Sequence, residues 1–317
     1  MIWELDKRGV PTIILDFQGE YAAGDFYDAV QPQVYDVMQG LPINPFEVPI
    51  DPLTGQRRPY IEMVYRLADT LNTVFRGSGD IQLGLLRDAI TECYNQMGFT
   101  PDKPDTWNYD PPTIVMLENI LDLWAEGKGA QVKNLKVRLQ PLFQTGIFQA
   151  SGGTFNFDDL LKKTSVIKLT AAIKDLMLAA SRFLLEKIYA TMLAQGLSKD
   201  LRLMVCIDEA HKVCGDETIT SLVKEARKYG LGLILSSQET RDFHDSIFAN
   251  TGTLIALALE DADATVMVKH LGLTDANARK MAKDMMLNQA SGEALIRSKH
   301  FQPYRQVKIQ SFEDRRR

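Results

Sequence analysis

The stretch LRLMVCIDEAHKVCG, at residues 201–215, decides the fold that we predict for this chain. Residues 201–207 are apolar except for one arginine, a pattern typical of a strand buried on both faces of a sheet. Two neighbouring acids, Asp208 and Glu209, follow directly. Acids favour helix N-termini, so one alternative is that both begin the next helix. Because adjacent like charges cost stability, we favour a chemical role for them.

Strands and helices alternate on both sides of this stretch. Strands are predicted at residues 11–17, 165–170, 201–207, 231–235 and 253–260, with helices between most of them. A last pair of segments, 292–298 and 304–310, predicts a hairpin or an edge pair. The near-continuous apolar strands predict an α/β fold with a mostly parallel sheet that is covered by helices on both faces.

Between Tyr60 and Leu142 the pattern changes. Apolar residues recur there at helical spacing, in segments separated by Gly, Pro and Asp signals. We interpret this region as a helical insertion within or beside the α/β core.

Bulk composition excludes several classes of protein. The 317 residues carry a net charge of −5, so any nucleic-acid binding has to come from a local basic surface. Three cysteines without a CxxC pair argue against a disulfide scaffold, and His211 with Cys214 makes no metal-ligand cluster. No apolar run approaches about 18 residues, so we expect a soluble cytoplasmic protein without a membrane partner.

Polar residues follow three of the predicted strands. They are Asp16 with Glu20, Asp208 with Glu209, and Ser236, Ser237 and Gln238. Ligands in open α/β sheets collect at the carboxyl ends of the strands. An apolar strand that ends in acids has the form of a Walker B element, in which one carboxylate holds Mg²⁺ and the next deprotonates the attacking water.

Two further residues have open interpretations. Gln238 ends the strand that follows Asp208 and Glu209, where a nucleotide motor needs a neutral side chain that senses the γ-phosphate; an ordinary turn residue fits as well. Arg227, between these two strands, is either a solvated residue at a helix end or an arginine finger that completes a neighbouring subunit's site.

Five segments, in this order along the chain, resemble the HerA branch of the HerA–FtsK superfamily of ring-forming ATPases. They are ILDFQGEY, PINPFE, VCIDEAHK, EARKYGLGLILSSQ and TGTLIALAL. The resemblance implies a RecA-like fold of the P-loop NTPase type. It also implies three parts: residues 1–50 as the first part of the core after the P-loop helix, 51–145 as the helical insertion, and 146–317 as the second part with Walker B, sensor and C-terminal strands.

The resemblance also implies roles for single residues, with ATP and Mg²⁺ as substrate and cofactor. Asp208 is similar to the acid that holds magnesium, usually through water, and Glu209 to the catalytic base. Arg227 is similar to the finger offered in trans, and Gln238 to the sensor. The turn containing Asp16 and Glu20 matches the strand and turn after the P-loop helix. It implies a supporting role near the nucleotide, with a purely structural turn as the alternative.

The chain departs from this family in one respect, because no GxxxxGK[ST] motif occurs in the 317 residues. This loop binds the β- and γ-phosphates. The glycine-bearing stretches at 76–82, 126–131 and 150–155 fail on spacing or on the missing GK[ST]. MIWELDKRG followed by a strand reads as the end of the P-loop helix, so we expect the P-loop to lie upstream of residue 1.

The function implied by the resemblance is an ATP-driven translocase or helicase on double-stranded DNA, working as a homohexamer. A nuclease or other effector in DNA end processing or phage defence is the implied partner. Alternatives are a degenerate assembly subunit without a P-loop, or a conjugative or packaging DNA-transfer ATPase. Lys128, Lys133, Lys136 and Arg138 form a basic helix that either meets DNA phosphates or is a solvated face.

Overall fold

The computed structural model describes residues 1–75, 79–127, 129–148, 157–170, 173–213 and 217–316. These residues form two compact units. The first comprises Met1–Ile207 and Ala226–Ile234, and the second comprises Asp208–Glu225 and Leu235–Arg317.

The first unit contains most of the regular structure that the sequence predicts. In chain order its elements are α1 (Ile2–Lys7), β1 (Thr12–Asp16), α2 (Gly24–Val30), β2 (Gln33–Asp36), α3 (Tyr60–Val74), α4 (Asp80–Gln96), α5 (Ile114–Gly127), α6 (Ala130–Thr145), α7 (Phe157–Leu160), β3 (Ser165–Lys168), α8 (Lys174–Ala194), β4 (Ser198–Ile207) and β5 (Tyr229–Leu235).

The strands β1 to β5 form one sheet in the order β2-β3-β1-β4-β5. The central strand β1 pairs in parallel with β3 and with β4, and β3 pairs in parallel with β2. All five residues of β1 are buried, and Ile14 packs with Val166 and Cys206 from the two neighbouring strands. The predicted fold class, an α/β fold with a mostly parallel RecA-like sheet, is confirmed.

At its start, β5 passes close to β4 at one glycine. The preceding helix ends at Glu225, a 3₁₀ turn covers Ala226–Lys228, and Tyr229 begins β5. Gly230 has φ +76°, and a Cβ there would lie 2.5 Å from the carbonyl oxygen of Asp200. A side chain at this position has no room, so the close approach to β4 requires glycine.

The helices α3 to α6 occupy the region that the sequence predicts as helical, and an aromatic cluster joins them to the preceding loop. The ring of Tyr94 lies 5.0 Å from the rings of Tyr60 and Phe99 and 5.8 Å from that of Phe46, measured between centroids. Burial raises the pKa of Tyr94 far above its ordinary value, so its hydroxyl stays protonated. That hydroxyl donates a hydrogen bond of 2.5 Å to the carbonyl oxygen of Phe46.

The second unit contains α9 (Glu217–Glu225), α10 (Asp245–Asn250), β6 (Thr253–Ala256), α11 (Asp261–His270), α12 (Ala276–Leu287), β7 (Glu293–Ser298), β8 (Phe301–Lys308) and α13 (Phe312–Arg316). The strands β6, β7 and β8 form a separate antiparallel sheet in this order. The predicted hairpin of the last two strands is confirmed. The strand predicted at 253–260 ends at Ala256, because the chain then turns away and the amide of Leu259 donates to the carbonyl of Met286.

The segment that follows β5 is anchored to α11. The buried Thr240 donates to one carboxylate oxygen of Asp263 twice, from its backbone amide at 2.8 Å and from its hydroxyl at 2.6 Å. These hydrogen bonds lower the pKa of Asp263 below its ordinary value. The anchor therefore holds the 3₁₀ turn Thr240–Asp242 most firmly when Asp263 is ionised.

Among the described helices, none has the length and the apolar character that are needed to cross a membrane.

Removing the Tyr94 hydroxyl should destabilise the first unit. In Tyr94→Phe the buried carbonyl of Phe46 loses its donor, so we expect the free energy of unfolding to fall by about 1–3 kcal/mol in urea titrations. The matched control is Tyr65→Phe on α3, whose ring is half exposed, with an expected change within about 0.5 kcal/mol. Equal effects of the two substitutions would contradict the importance of this hydrogen bond.

Replacing Asp263 by Asn should flatten the acid dependence of stability. An acid whose folded pKa is lowered adds stability above its unfolded pKa, near 4, and this stability is lost as the pH falls through the folded value. Urea midpoints of Asp263→Asn between pH 7 and pH 3 should therefore start lower and change less than those of the unsubstituted protein. Asp102→Asn, at an exposed position, should leave the profile unchanged; identical slopes for all three proteins would refute the linkage.

Candidate active site

The carboxylate of Asp16 builds the turn that follows β1. It is fully buried and accepts three backbone amides: those of Gln18 at 3.2 Å and Gly19 at 2.7 Å on one oxygen, and that of Tyr21 at 3.1 Å on the other. Gly19 has φ +86°, a conformation that favours glycine. The turn sequence DFQGEY is therefore explained locally: the acid satisfies the amides and the glycine permits the backbone path.

Glu20 lies in this turn with its side chain exposed. Its amide neighbours Gly19 and Tyr21 are both bonded to Asp16, so the position of the Glu20 backbone is fixed. Within the first unit, Asp16 thus holds the turn and Glu20 is presented to solvent.

Asp208 directly follows β4 and is half-buried. The hydroxyl of Ser236 donates to its Oδ1 at 2.5 Å. The two segments are also joined through the backbone, because the amide of Ala210 donates to the carbonyl of Ser236 at 2.7 Å. Among the described residues no donor is found for Oδ2 of Asp208, which leaves this oxygen able to accept a hydrogen bond from a metal-bound water.

Glu209 is oriented differently from its neighbour because its backbone is left-handed, with φ 56° and ψ 49°. This conformation costs about 1 kcal/mol for a residue with a Cβ. The residue is 9% exposed, so its carboxylate needs hydrogen-bond partners. Gln238 donates from Nε2 to Oε1 at 3.1 Å, and His211 Nδ1 lies 3.2 Å from Oε2.

The second unit therefore brings together three of the residues that the sequence singled out, Asp208, Glu209 and Gln238. Ser236 stood at the correct strand end in the sequence but without a role, and the structure shows that it bonds Asp208. His211 was considered only as a metal ligand. Its position two residues after Glu209 gave no signal of contact, because that contact depends on the left-handed turn.

Arg227 lies in the 3₁₀ turn Ala226–Lys228 just before β5, and its side chain is exposed. Within the described residues it forms no ion pair. An exposed guanidinium on a short turn fits both interpretations from the sequence, a solvated residue and a finger directed at another subunit.

The basic helix α6 is largely engaged within the first unit. Lys136 forms an ion pair with Asp122 of α5, and Arg138 donates to the side chain of Gln82 at 2.5 Å. Lys133 is exposed, and Lys128 lies outside the described residues. These pairs favour the interpretation of α6 as a solvated and internally bonded helix face.

The chain matches no protein-family model, and no curated protein matches it in sequence. Solved structures do match. VirB4 of Thermoanaerobacter pseudethanolicus has 20% identity and a TM-score of 0.73, over 96% of this chain and 83% of that one.

The bacterial conjugative coupling protein TrwB, in an unbound form, has 16% identity and a TM-score of 0.60, over 97% of this chain and 80% of that one. TrwB in complex with ADP and Mg²⁺ has 14% identity and a TM-score of 0.58, over 96% and 79%. At these identities the similarity establishes the fold. The chain has the RecA-like fold of P-loop NTPases.

Proposed function

We propose that the chain belongs to an ATP-driven DNA translocase, a ring motor that hydrolyses ATP with Glu209 as the catalytic base. The observation that carries the proposal is the Glu209 carboxylate, nearly buried after an apolar strand and hydrogen-bonded by Gln238 at 3.1 Å. A buried acid at the carboxyl end of a central strand is where an α/β nucleotide hydrolase places the group that activates water. A helix cap fits poorly, because no side-chain cap bond is made by Glu209.

Asp208 and Glu209 have different roles in the proposed reaction. Attack of water on the γ-phosphorus forms a P–O bond, breaks the bond to the leaving ADP oxygen and releases one proton from the water. In the proposal, Glu209 accepts that proton, while Asp208 would hold a Mg²⁺ ion through a water at Oδ2. When bound, the ion would supply positive charge near the phosphates. The free Oδ2 among the described contacts of Asp208 supports this assignment.

The other assigned residues have separate roles in the proposal. Gln238 bonds the base and is the proposed γ-phosphate sensor, because one amide can respond to both groups. Asp16 supports the nucleotide site by shaping the turn that carries Glu20, since its own oxygens are occupied by backbone amides. Phosphate binding itself belongs in the proposal to a GxxxxGK[ST] loop, which the 317 residues do not contain.

Arg227 is proposed to act in trans, in a homohexameric ring. Its exposed position on a short turn, with no ion pair among the described residues, supports a role outside its own subunit. A guanidinium reaching the phosphates of a neighbour would neutralise the charge of the transition state.

The DNA substrate distinguishes two versions of the proposal. A HerA-type motor moves on double-stranded DNA with a nuclease or other effector, in end processing or phage defence. In the second version the motor transfers DNA in conjugation or packaging, and the similarity to TrwB, a bacterial conjugative coupling protein, fits this version at least as well. Stimulation of ATP turnover by duplex DNA supports the first version, and stimulation by single-stranded DNA alone supports the second.

Glu209→Gln should abolish ATP turnover by the full-length protein while nucleotide binding is retained. The amide keeps the size of the side chain but cannot take a proton, so we expect kcat to fall by a factor of about 10²–10⁴. Phosphate release and nucleotide affinity are the two measurements.

The matched control for this substitution is Glu126→Gln, at an exposed position on α5, which should leave kcat unchanged. Turnover that survives in Glu209→Gln would exclude this residue as the base. Turnover absent from the unsubstituted full-length protein, even with DNA, would favour the degenerate assembly subunit instead.

Arg227→Ala and Glu209→Gln subunits should complement each other. Each variant alone is expected to be inactive, but a mixed ring contains interfaces that combine an intact base with an intact neighbouring arginine. With random mixing at equal amounts, about a quarter of the interfaces are complete, so activity should return to about that fraction of the normal rate. The measurement is ATP turnover of co-expressed rings across mixing ratios.

Lys228→Ala provides the matched control, because Lys228 is the exposed basic neighbour of Arg227 on the same turn. This variant should be active alone. Absence of rescue at every ratio, with rings that still assemble, would show that Arg227 does not act across an interface.

A further inference from the structure

We propose that His211 is a positioning residue for the catalytic base. The inference rests on the proposed function, because it assigns a second partner to Glu209. His211 Nδ1 lies 3.2 Å from Oε2 of Glu209, and Gln238 Nε2 lies 3.1 Å from Oε1. One oxygen of this carboxylate therefore accepts a hydrogen bond from Gln238, and the other lies within ion-pair distance of the His211 ring.

The two partners approach Glu209 from different parts of the second unit. His211 comes from the 3₁₀ turn Ala210–Lys212, and Gln238 comes from the segment after β5. A hydrogen bond at one oxygen and an ion-pair contact at the other restrict the rotation of the carboxylate about its terminal bond more than either does alone. The orientation of the base is thus set by both segments together.

The left-handed backbone of Glu209 makes this contact possible. With φ 56° and ψ 49°, the chain reverses after β4 and brings the side chain of residue 211 back beside that of residue 209. Such a conformation costs free energy for a residue with a Cβ, and strained backbone of this kind clusters at functional sites. A cap of the following turn does not account for it, since the Glu209 side chain caps nothing there.

Burial separates this pair from an ordinary surface ion pair. The side chain of Glu209 is only 11% exposed, while that of His211 is 37% exposed. A nearly buried carboxylate depends on its partners, because an unpaired charge in such a place is costly. His211 therefore has an effect on Glu209 that a solvated pair would not have.

The test uses two substitutions of His211 in the full-length protein. His211→Ala removes the contact with Oε2, and we expect kcat for ATP to fall about 10- to 100-fold, as for other partners that orient a reacting group, with KM within about twofold. His211→Asn keeps a polar nitrogen close to the position of Nδ1 and should restore kcat to within about threefold of the unsubstituted protein.

Two controls separate orientation from folding. His300→Ala, in the exposed turn between β7 and β8, should leave kcat unchanged. Nucleotide affinity and thermal midpoints measured for all variants report loss of the fold directly. Combining His211→Ala with Glu209→Gln should cost no more than Glu209→Gln alone, because a residue that acts through the base has no effect once the base is gone.

The outcomes distinguish the inference from the proposed function. If Glu209→Gln retains turnover, the proposed base is wrong and the role of His211 fails with it. If Glu209→Gln is inactive while His211→Ala equals the unsubstituted protein, the function stands and the inference is wrong. Equal loss in His211→Ala and His211→Asn, or a lower thermal midpoint that accounts for the loss, would show a structural role and also overturn the inference.

Discussion

Two adjacent carboxylates at the end of a buried strand have to be hydrogen-bonded separately, and the candidate site is organised around this constraint. Asp208 accepts a hydrogen bond from Ser236, while Glu209 accepts one from Gln238 and has the His211 ring within 3.2 Å. The backbone at Glu209 is left-handed, and the two neighbouring acids contact different partners.

The sheet was predictable because its central strands are apolar along their whole length. A run such as TIILD has one stable place, buried on both faces of a parallel sheet, and β1 lies there between β3 and β4. The antiparallel sheet of the second unit was predicted less well. A short apolar stretch such as TLIALALE does not indicate which strand it pairs with or where it ends. After β6, the amide of Leu259 donates a hydrogen bond to the carbonyl of Met286 in α12, which is distant in the sequence. The need for glycine at position 230 likewise comes from its approach to Asp200, which no local pattern reveals.

The sequence predicts those residues of the site that are recognised by their type and by their position after a strand. Acids after an apolar strand and a glutamine after the next one were visible in the sequence, and the structure bonds Gln238 to Glu209. Partners that depend on a turn conformation were not visible, as His211 illustrates. Asp16 shows the converse: a strand-end acid predicted to support the nucleotide has both oxygens engaged by backbone amides, so any contribution it makes is through the shape of its turn. The roles of Arg227 and Glu20 stay predictions, because exposed side chains without described partners carry little structural information.

The segment from Ser236 to Thr240 is fixed at both ends, which restricts how a sensor on it can work. At one end the carbonyl of Ser236 accepts the amide of Ala210, and at the other Thr240 is bonded twice to Asp263 of α11. Gln238 lies in the middle of this segment with an exposed side chain. Because the backbone on either side is anchored, a response of Gln238 to a phosphate has to come from rotation of its side chain, away from or toward Glu209. In the proposed function, the base and the sensor are therefore coupled through one amide group.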